Sequence, residues 1–175
     1  MATPSADSVS LHHVIVLEGT AVEWADTSPE QWATLLAELG KVADHAGVRW
    51  LVLRPYGPGE AGSERRVEVG GCLVVAAPEG DGRRRLAAAV SALHSAGAEI
   101  SESSIDLQLN EPAETDPDLV VVLGPPHRFP GALVWELAYS ELVFVDAEWA
   151  HFAASQLDEA MAAFAQRHRR FGGVD

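Results

Sequence analysis

Two rhythms of apolar residues alternate along this chain. Short unbroken runs, HHVIVL (12–17), VRWLVL (48–53), the segment around 72–76 in VEVGGCLVVAA, and DLVVVL (118–123), read as strands buried on both faces. Between them the spacing becomes helical. Ser28-Pro29-Glu30-Gln31 opens a helix with a serine cap, a proline at the first helical position and a glutamine placed to close a capping box. Trp32, Leu35, Leu36, Leu39, Val42 and Ala43 then fall on one face, and Gly47 ends the helix. RRRLAAAVSALHSA predicts a helix over 82–95 and SSIDLQLN a short one. A further helix is expected at 131–140, a short strand near ELVFVD, and a last helix in SQLDEAMAAFAQRHRRF, opened by Ser155 with an acid three residues on. RPYGPGEAGSERR reads as loop and EPAETDPD as an acidic linker. The polar residues 1–10 form a tail, and 11–175 a single domain.

Buried strands alternating with helices predict an α/β fold: a mostly parallel central sheet with helices on both faces. Ligands of such sheets bind beyond the carboxyl ends of the strands. The loops to inspect are therefore 18–26, 54–62, 78–82 and 124–131.

Composition narrows the function. The hydrophobic content of 47% suffices for a core, while the net charge of −14 argues against binding nucleic acid or an anionic membrane surface. An anionic ligand would need a local cation or metal. The single cysteine, Cys72, excludes an internal disulfide, and its apolar neighbours make it an inert core thiol. The start of the chain lacks a signal-peptide pattern and no stretch approaches membrane-span length, so a cytoplasmic location is expected.

The chemical motifs are sparse. Gly57-Pro58-Gly59-Glu60-Ala61-Gly62 matches GxGxxG after a strand, but leaves no room for the helix a dinucleotide site needs, so it reads as a flexible loop. His12 and His13, adjacent on a strand, point to opposite faces and do not share a metal. Arg128 is placed to clamp an anionic oxygen. Arg83-Arg84-Arg85 opens a helix against its dipole and reads first as a solvated face; Arg167-His168-Arg169-Arg170 closes the last helix in agreement with its dipole.

PDLVVVLGPPHRFPGALVWELAYSELVFVDAEWAHFAASQLDEAMAAFAQRHRRFGG (117–173) resembles the cis-prenyltransferases, the undecaprenyl and dehydrodolichyl diphosphate synthases. HHVIVLEGTAVEWA is similar to that family's first strand and Asp-Gly-Asn-Gly-Arg-Trp-Ala phosphate loop, and CLVVAAPEGDGRRRLAAAVSAL to its central strand and following helix. The resemblance places the metal-binding aspartate on Glu18, the loop asparagine near Thr20 and its arginine near Val22 or Glu23. It maps Arg-x-Gly-Gly-x-x-Arg-x-Ser onto Val122–Pro130, losing one arginine and the serine but keeping Arg128, and the second acidic metal position onto Glu141. The interval between Leu53 and Cys72, which holds tunnel-walling helices in catalytic members, is too short here for such helices.

This pattern of loss is similar to the non-catalytic subunits of heteromeric cis-prenyltransferases, the group of the Nogo-B receptor. Their C-terminal Arg-x-Gly, which contacts diphosphate in the partner's active site, falls on Arg170-Phe171-Gly172. The resemblance implies an accessory subunit of polyprenyl diphosphate synthesis whose diphosphate contacts are Arg128, Arg170 and Gly172. Any Mg²⁺ would be held by Glu18 and Glu141, or mainly by a full-length catalytic partner. Trp135, Tyr139, Phe144 and Trp149 are the expected interface anchors. Two other readings stay open: a stand-alone, homodimeric Mg²⁺-dependent synthase acting on short allylic substrates, and reuse of the fold as a non-prenyl binding module.

Overall fold

The computed structural model describes residues 10–124, 131–133, 135–138 and 140–171, with the side chains of 168–171 outside that description. The strands are β1 (His13–Thr20), β2 (Trp50–Tyr56), β3 (Arg65–Val69), β4 (Cys72–Ala76), β5 (Leu119–Leu123) and β6 (Glu141–Val145). The helices are α1 (Ala21–Asp26), α2 (Pro29–His45), α3 (Gly82–Ser95), α4 (Glu102–Asn110) and α5 (Ala154–Phe171).

The six strands form one sheet in the order β3-β4-β2-β1-β5-β6, parallel throughout except where β3 pairs with β4. The predicted mostly parallel α/β architecture is therefore the observed one. The chain builds β1, β2 and β4 in one direction and then returns to lay β5 on the other flank of β1. That reversal opens a crevice at the carboxyl ends of β1 and β5.

Both faces of the sheet are buried, which is why its strands read as unbroken apolar runs. On one face, Val14, Val16, Leu51, Leu53, Val74 and Val121 meet Trp32, Leu36 and Leu39 of α2 and Leu157, Met161 and Phe164 of α5. On the other, Ile15, Leu17, Val52, Val75, Val120 and Val122 meet Ala132 and Leu133. Gly82, the first residue of α3, lies against the 131–133 turn so closely that a Cβ would stand 2.7 Å from the Gly131 carbonyl oxygen.

Helix α2 begins as its residues dictate: Ser28 accepts from the Gln31 N–H and Gln31 returns the bond to the Ser28 N–H. Three expectations fail. Arg65 and Arg66, read as the end of a loop, open a separate strand β3 with the following residues 67–69, and the Gly70-Gly71 dipeptide after it closes a hairpin in which Val69 pairs with Cys72. The helix expected at 131–140 is two short 3-10 turns, Gly131–Leu133 and Glu136–Ala138, among the described residues. Helix α5 starts at Ala154, where Gln156 accepts from the Ala153 N–H at 2.8 Å, so Ser155 does not cap it.

The β3 hairpin carries the link between β2 and β4. Parallel neighbours are usually joined by a crossover helix. Here residues 57–71 pass outward as a loop, form β3 on the far side of β4, and turn back.

Candidate functional site

The carboxyl edge of the sheet gathers the ends of β1, β2, β4 and β5. At the end of β1, Glu18 is fully buried and neither carboxyl oxygen has a hydrogen-bond partner. Burial alone pushes its acid well above the usual carboxylate range, with no opposing charge nearby to bring it back. The segment that follows, matched in sequence to a phosphate loop, is α1. Thr20 and Glu23 cap one another there: the Thr20 N–H donates to Glu23 Oε2 at 2.7 Å and the Glu23 N–H to Thr20 Oγ1 at 3.3 Å. Trp24 folds back beneath, donating its indole N–H to the Glu18 carbonyl at 3.0 Å. Its ring joins Trp32 and Trp149, with centroids 4.8 and 6.2 Å away.

Glu141 lies elsewhere. It opens β6, in register through Leu119 with Val14, at the amino edge of the sheet. Glu18 stands four residues further along β1, about 13 Å along the strand direction and about 10 Å across it. The expectation that Glu18 and Glu141 hold one metal is therefore corrected: parallel pairing sends them to opposite ends of this chain. Instead Glu141 accepts from Arg167 Nη1 at 3.0 Å, and the same nitrogen donates to the Leu142 carbonyl at 3.1 Å. Among the described residues no group of three or more His, Cys, Asp or Glu could hold a metal ion. Mg²⁺ needs a near-octahedral set of oxygens, and one desolvated carboxyl group does not fit that need.

The other expected site residues are scattered. Arg128, Gly172 and Tyr139 lie outside the described residues. Arg170 falls in the last turn of α5. The contacts of Arg167, three residues earlier, fix this end of the helix at the amino edge, away from the crevice. Of the expected interface anchors, Phe144 is open, at 40% exposure on edge strand β6. Trp149 stacks inward on Trp24 and donates its indole N–H to Thr27 Oγ1 at 3.2 Å. Trp135 is half-buried and donates its indole N–H to Asp106 of α4. These two tryptophans thus serve intrachain packing.

Sequence reasoning missed the buried charges on the second face. Arg85 is buried, so the basic triplet does not form one solvated face. Its guanidinium donates to the Ala132 and Leu109 carbonyls at 2.9 and 3.0 Å and pairs with Glu136, itself 1% exposed. Arg54, at the end of β2, is 8% exposed; its Nη1 donates to the Glu79 carbonyl at 3.4 Å and its Nε has no partner. Burial and the Arg85 charge pull Arg54 down to about 9, which still leaves it cationic at neutral pH. His13 is buried on β1 while His12 is exposed, as alternation requires. Burial lowers the His13 pKa, and its Nδ1 lies 2.8 Å from the Thr115 carbonyl oxygen. The legible signal was a charge embedded in an apolar run: Arg54 after VRWLVL, and Glu136 within ALVWELAY. Cys72 is buried and its thiol is raised to about 11, consistent with an inert core role. No helix among the described residues is long and apolar enough to cross a membrane.

Residues 63–172 match the family model described as putative undecaprenyl diphosphate synthase. Isoprenyl transferase 2 of Bradyrhizobium diazoefficiens is 42% identical over 77 residues, 44% of this chain and 31% of that protein. The (2E,6E)-farnesyl-diphosphate-specific ditrans,polycis-undecaprenyl-diphosphate synthase of Yersinia pseudotuberculosis is 39% identical over 93 residues, 53% of this chain and 37% of that protein. The matching segments thus span about a third of these relatives' lengths. Among solved structures, lavandulyl diphosphate synthase from Lavandula x intermedia superimposes with a TM-score of 0.64 at 16% identity, covering 95% of this chain and 100% of that one. A probable undecaprenyl diphosphate synthase from Campylobacter jejuni does so at 0.61 and 16% identity, covering 93% and 99%.

Proposed function

This chain belongs to the family of putative undecaprenyl diphosphate synthases, the cis-prenyltransferases, and from that premise we propose that it serves polyprenyl diphosphate synthesis as a non-catalytic subunit of the Nogo-B-receptor-like kind. A separate full-length synthase houses the growing product. The observation that carries this reading is the link from β2 to β4. Where a helical crossover would wall a tunnel, the chain makes a loop and edge strand β3. Prenyl condensation needs the departing diphosphate neutralised and a dry channel for the hydrocarbon. In this chain the loop cation positions are Val22 and Glu23, and Glu18 is sealed in apolar surroundings.

The placement of α5 supports the same reading. Its last turn, carrying the backbone of Arg170, is held at the amino edge by Arg167, away from this chain's own crevice. An arginine so placed serves an active site in another chain, where its planar fork suits a diphosphate oxygen. The partner supplies the Mg²⁺ ligands, Arg128 assists with diphosphate, and the exposed edge of β6 with Phe144 is the docking surface. Residues 11–175 act as one domain, working in the cytoplasm.

Co-expression with a full-length synthase from the same cell tests this reading. The two chains should co-purify, and the synthase should lose most of its activity when its companion is omitted or carries Arg170→Ala. A synthase equally active alone, with no co-purification, rejects the subunit role. Product formed by the isolated chain would instead establish the stand-alone enzyme.

A further inference from the structure

Helix α3 buries one face and leaves the other open. Arg85, Ala89 and Leu93 point inward. Outward, Leu86, Ala87, Val90 and Ser91 line a groove of about 660 Å³, with Arg83 at one end and His94 and Ile100 at the other. Ala87, Ser91 and His94 are exposed, and Ile100 is one of the few large apolar side chains left open among the described residues, at 47% exposure. An open apolar face of this kind is suited to a partner.

Charge decides which partner. Arg83 stands in the first turn of α3, where the helix dipole disfavours a cation. Glu99, next to Ile100, is exposed just beyond the last turn, where the dipole disfavours an anion. None of the ion pairs among the described residues includes either side chain. They are too far apart to meet within one molecule, because the 14 residues of α3 hold them about 20 Å apart. A second copy laid antiparallel relieves both. With a two-fold axis near Val90, midway along the groove, Arg83 of one copy faces Glu99 and the negative end of α3 in the other. Symmetry generates the same contact a second time. The two dipoles then oppose each other, and the apolar floors of the grooves meet between the charged ends.

We propose that the outer face of α3 docks a second copy of this chain in an antiparallel, two-fold symmetric pair. The proposal stands apart from the prenyl-synthesis reading, and its surface includes no residue of edge strand β6. A helix about 21 Å long and about 10–12 Å wide hides less on each copy than the roughly 800 Å² of a lasting interface, so the pair forms reversibly and at high concentration.

The test is sedimentation velocity of the full chain up to about 1 mM, in about 0.15 M salt, which screens the net charge of −14 beyond roughly 8 Å. The wild type should pass from monomer to dimer as concentration rises. Arg83→Glu and Glu99→Arg each set like charges face to face in both contacts and should each weaken the dimer at least about tenfold. Both positions are exposed, so Tm and circular dichroism should stay those of the wild type. An equimolar mixture of these two variants should dimerise as tightly as wild type, because each chain then meets its opposite charge twice. Ala87→Glu, which puts a charge in the apolar centre, should abolish the dimer, and no mixture should restore it. A chain that stays monomeric up to about 1 mM overturns the proposal. So does a dimer indifferent to both charge reversals, or a mixture that associates no better than its components. A dimer lost in Phe144→Glu but kept in Ala87→Glu places the contact on β6 and overturns it equally.

Discussion

Beneath α2 and α5 the sheet meets Trp24, Trp32, Leu39, Leu157 and Phe164; beneath α3 and the 131–138 turns it meets His13, Arg54, Arg85 and Glu136 as well as aliphatic side chains. The first face is held by non-directional burial, in which most apolar atoms contribute in proportion to the area they hide. The second depends on particular partners, because a buried charge is tolerated only where another group meets it. The polar face is thus the more demanding of the two, and Arg54, whose Nε has no hydrogen-bond partner, lies at the carboxyl edge of the sheet.

The strongest break of this comparison is to damage each face once. Glu136→Ala leaves Arg85 buried and uncompensated and should cost about 3–5 kcal/mol in urea unfolding. Trp24→Ala should cost a similar amount, about 3–5 kcal/mol, through the cavity it opens. The two losses differ in their remedy. Combining Arg85→Met with Glu136→Leu should recover most of the first, whereas no change of charge should rescue the second. A double variant as unstable as Glu136→Ala would show that orphaned charge is not the cause.

Glu18 is the exception on the apolar side, since alternation along β1 places it after Val14 and Val16. Its folded pKa is raised, so the folded state holds the proton more tightly than the unfolded one. Stability is then lost as pH rises above the ordinary value of 4.5. Glu18→Gln should therefore stabilise the protein at pH 7, with the gain shrinking toward pH 4.5, as read by denaturation at both pH values. His13 on the other face slopes the opposite way. Its folded pKa is lowered by burial, so stability falls as pH drops through 6.5, and His13→Leu should flatten that limb.

The smallest effects on stability are expected at the rim. Arg167→Ala removes a half-exposed pair with Glu141 and should cost about 0.2–1 kcal/mol. Phe144→Glu, on the outer edge of β6, should change stability by no more than about 0.5 kcal/mol while abolishing association with a partner synthase, measured by co-purification.

The four central strands, α2, α3 and α5 were legible because burial on both sheet faces and helical periodicity leave their mark in consecutive residues. Strand β3 was missed because its exposed and half-buried residues, RRVEV, carry little apolar signal; pairing with β4 and the side of α2 make it a strand. The same locality limits the site. Motif matching aligned Glu18 and Glu141 as partners, but it carries no information on which end of a parallel strand a residue occupies.

The residues by themselves determined an α/β chain with a mostly parallel sheet, a strongly acidic surface and a kinship to prenyl-chain synthases, because periodicity, charge and motif are properties of neighbouring positions. Only the tertiary structure decided that Arg85 and Glu136 pair in the interior, that Arg54 is left without a carboxylate, and that the end of α5 lies opposite the crevice. Those facts arise from strand order and register, which bring together residues dozens of positions apart and fix their separation in space.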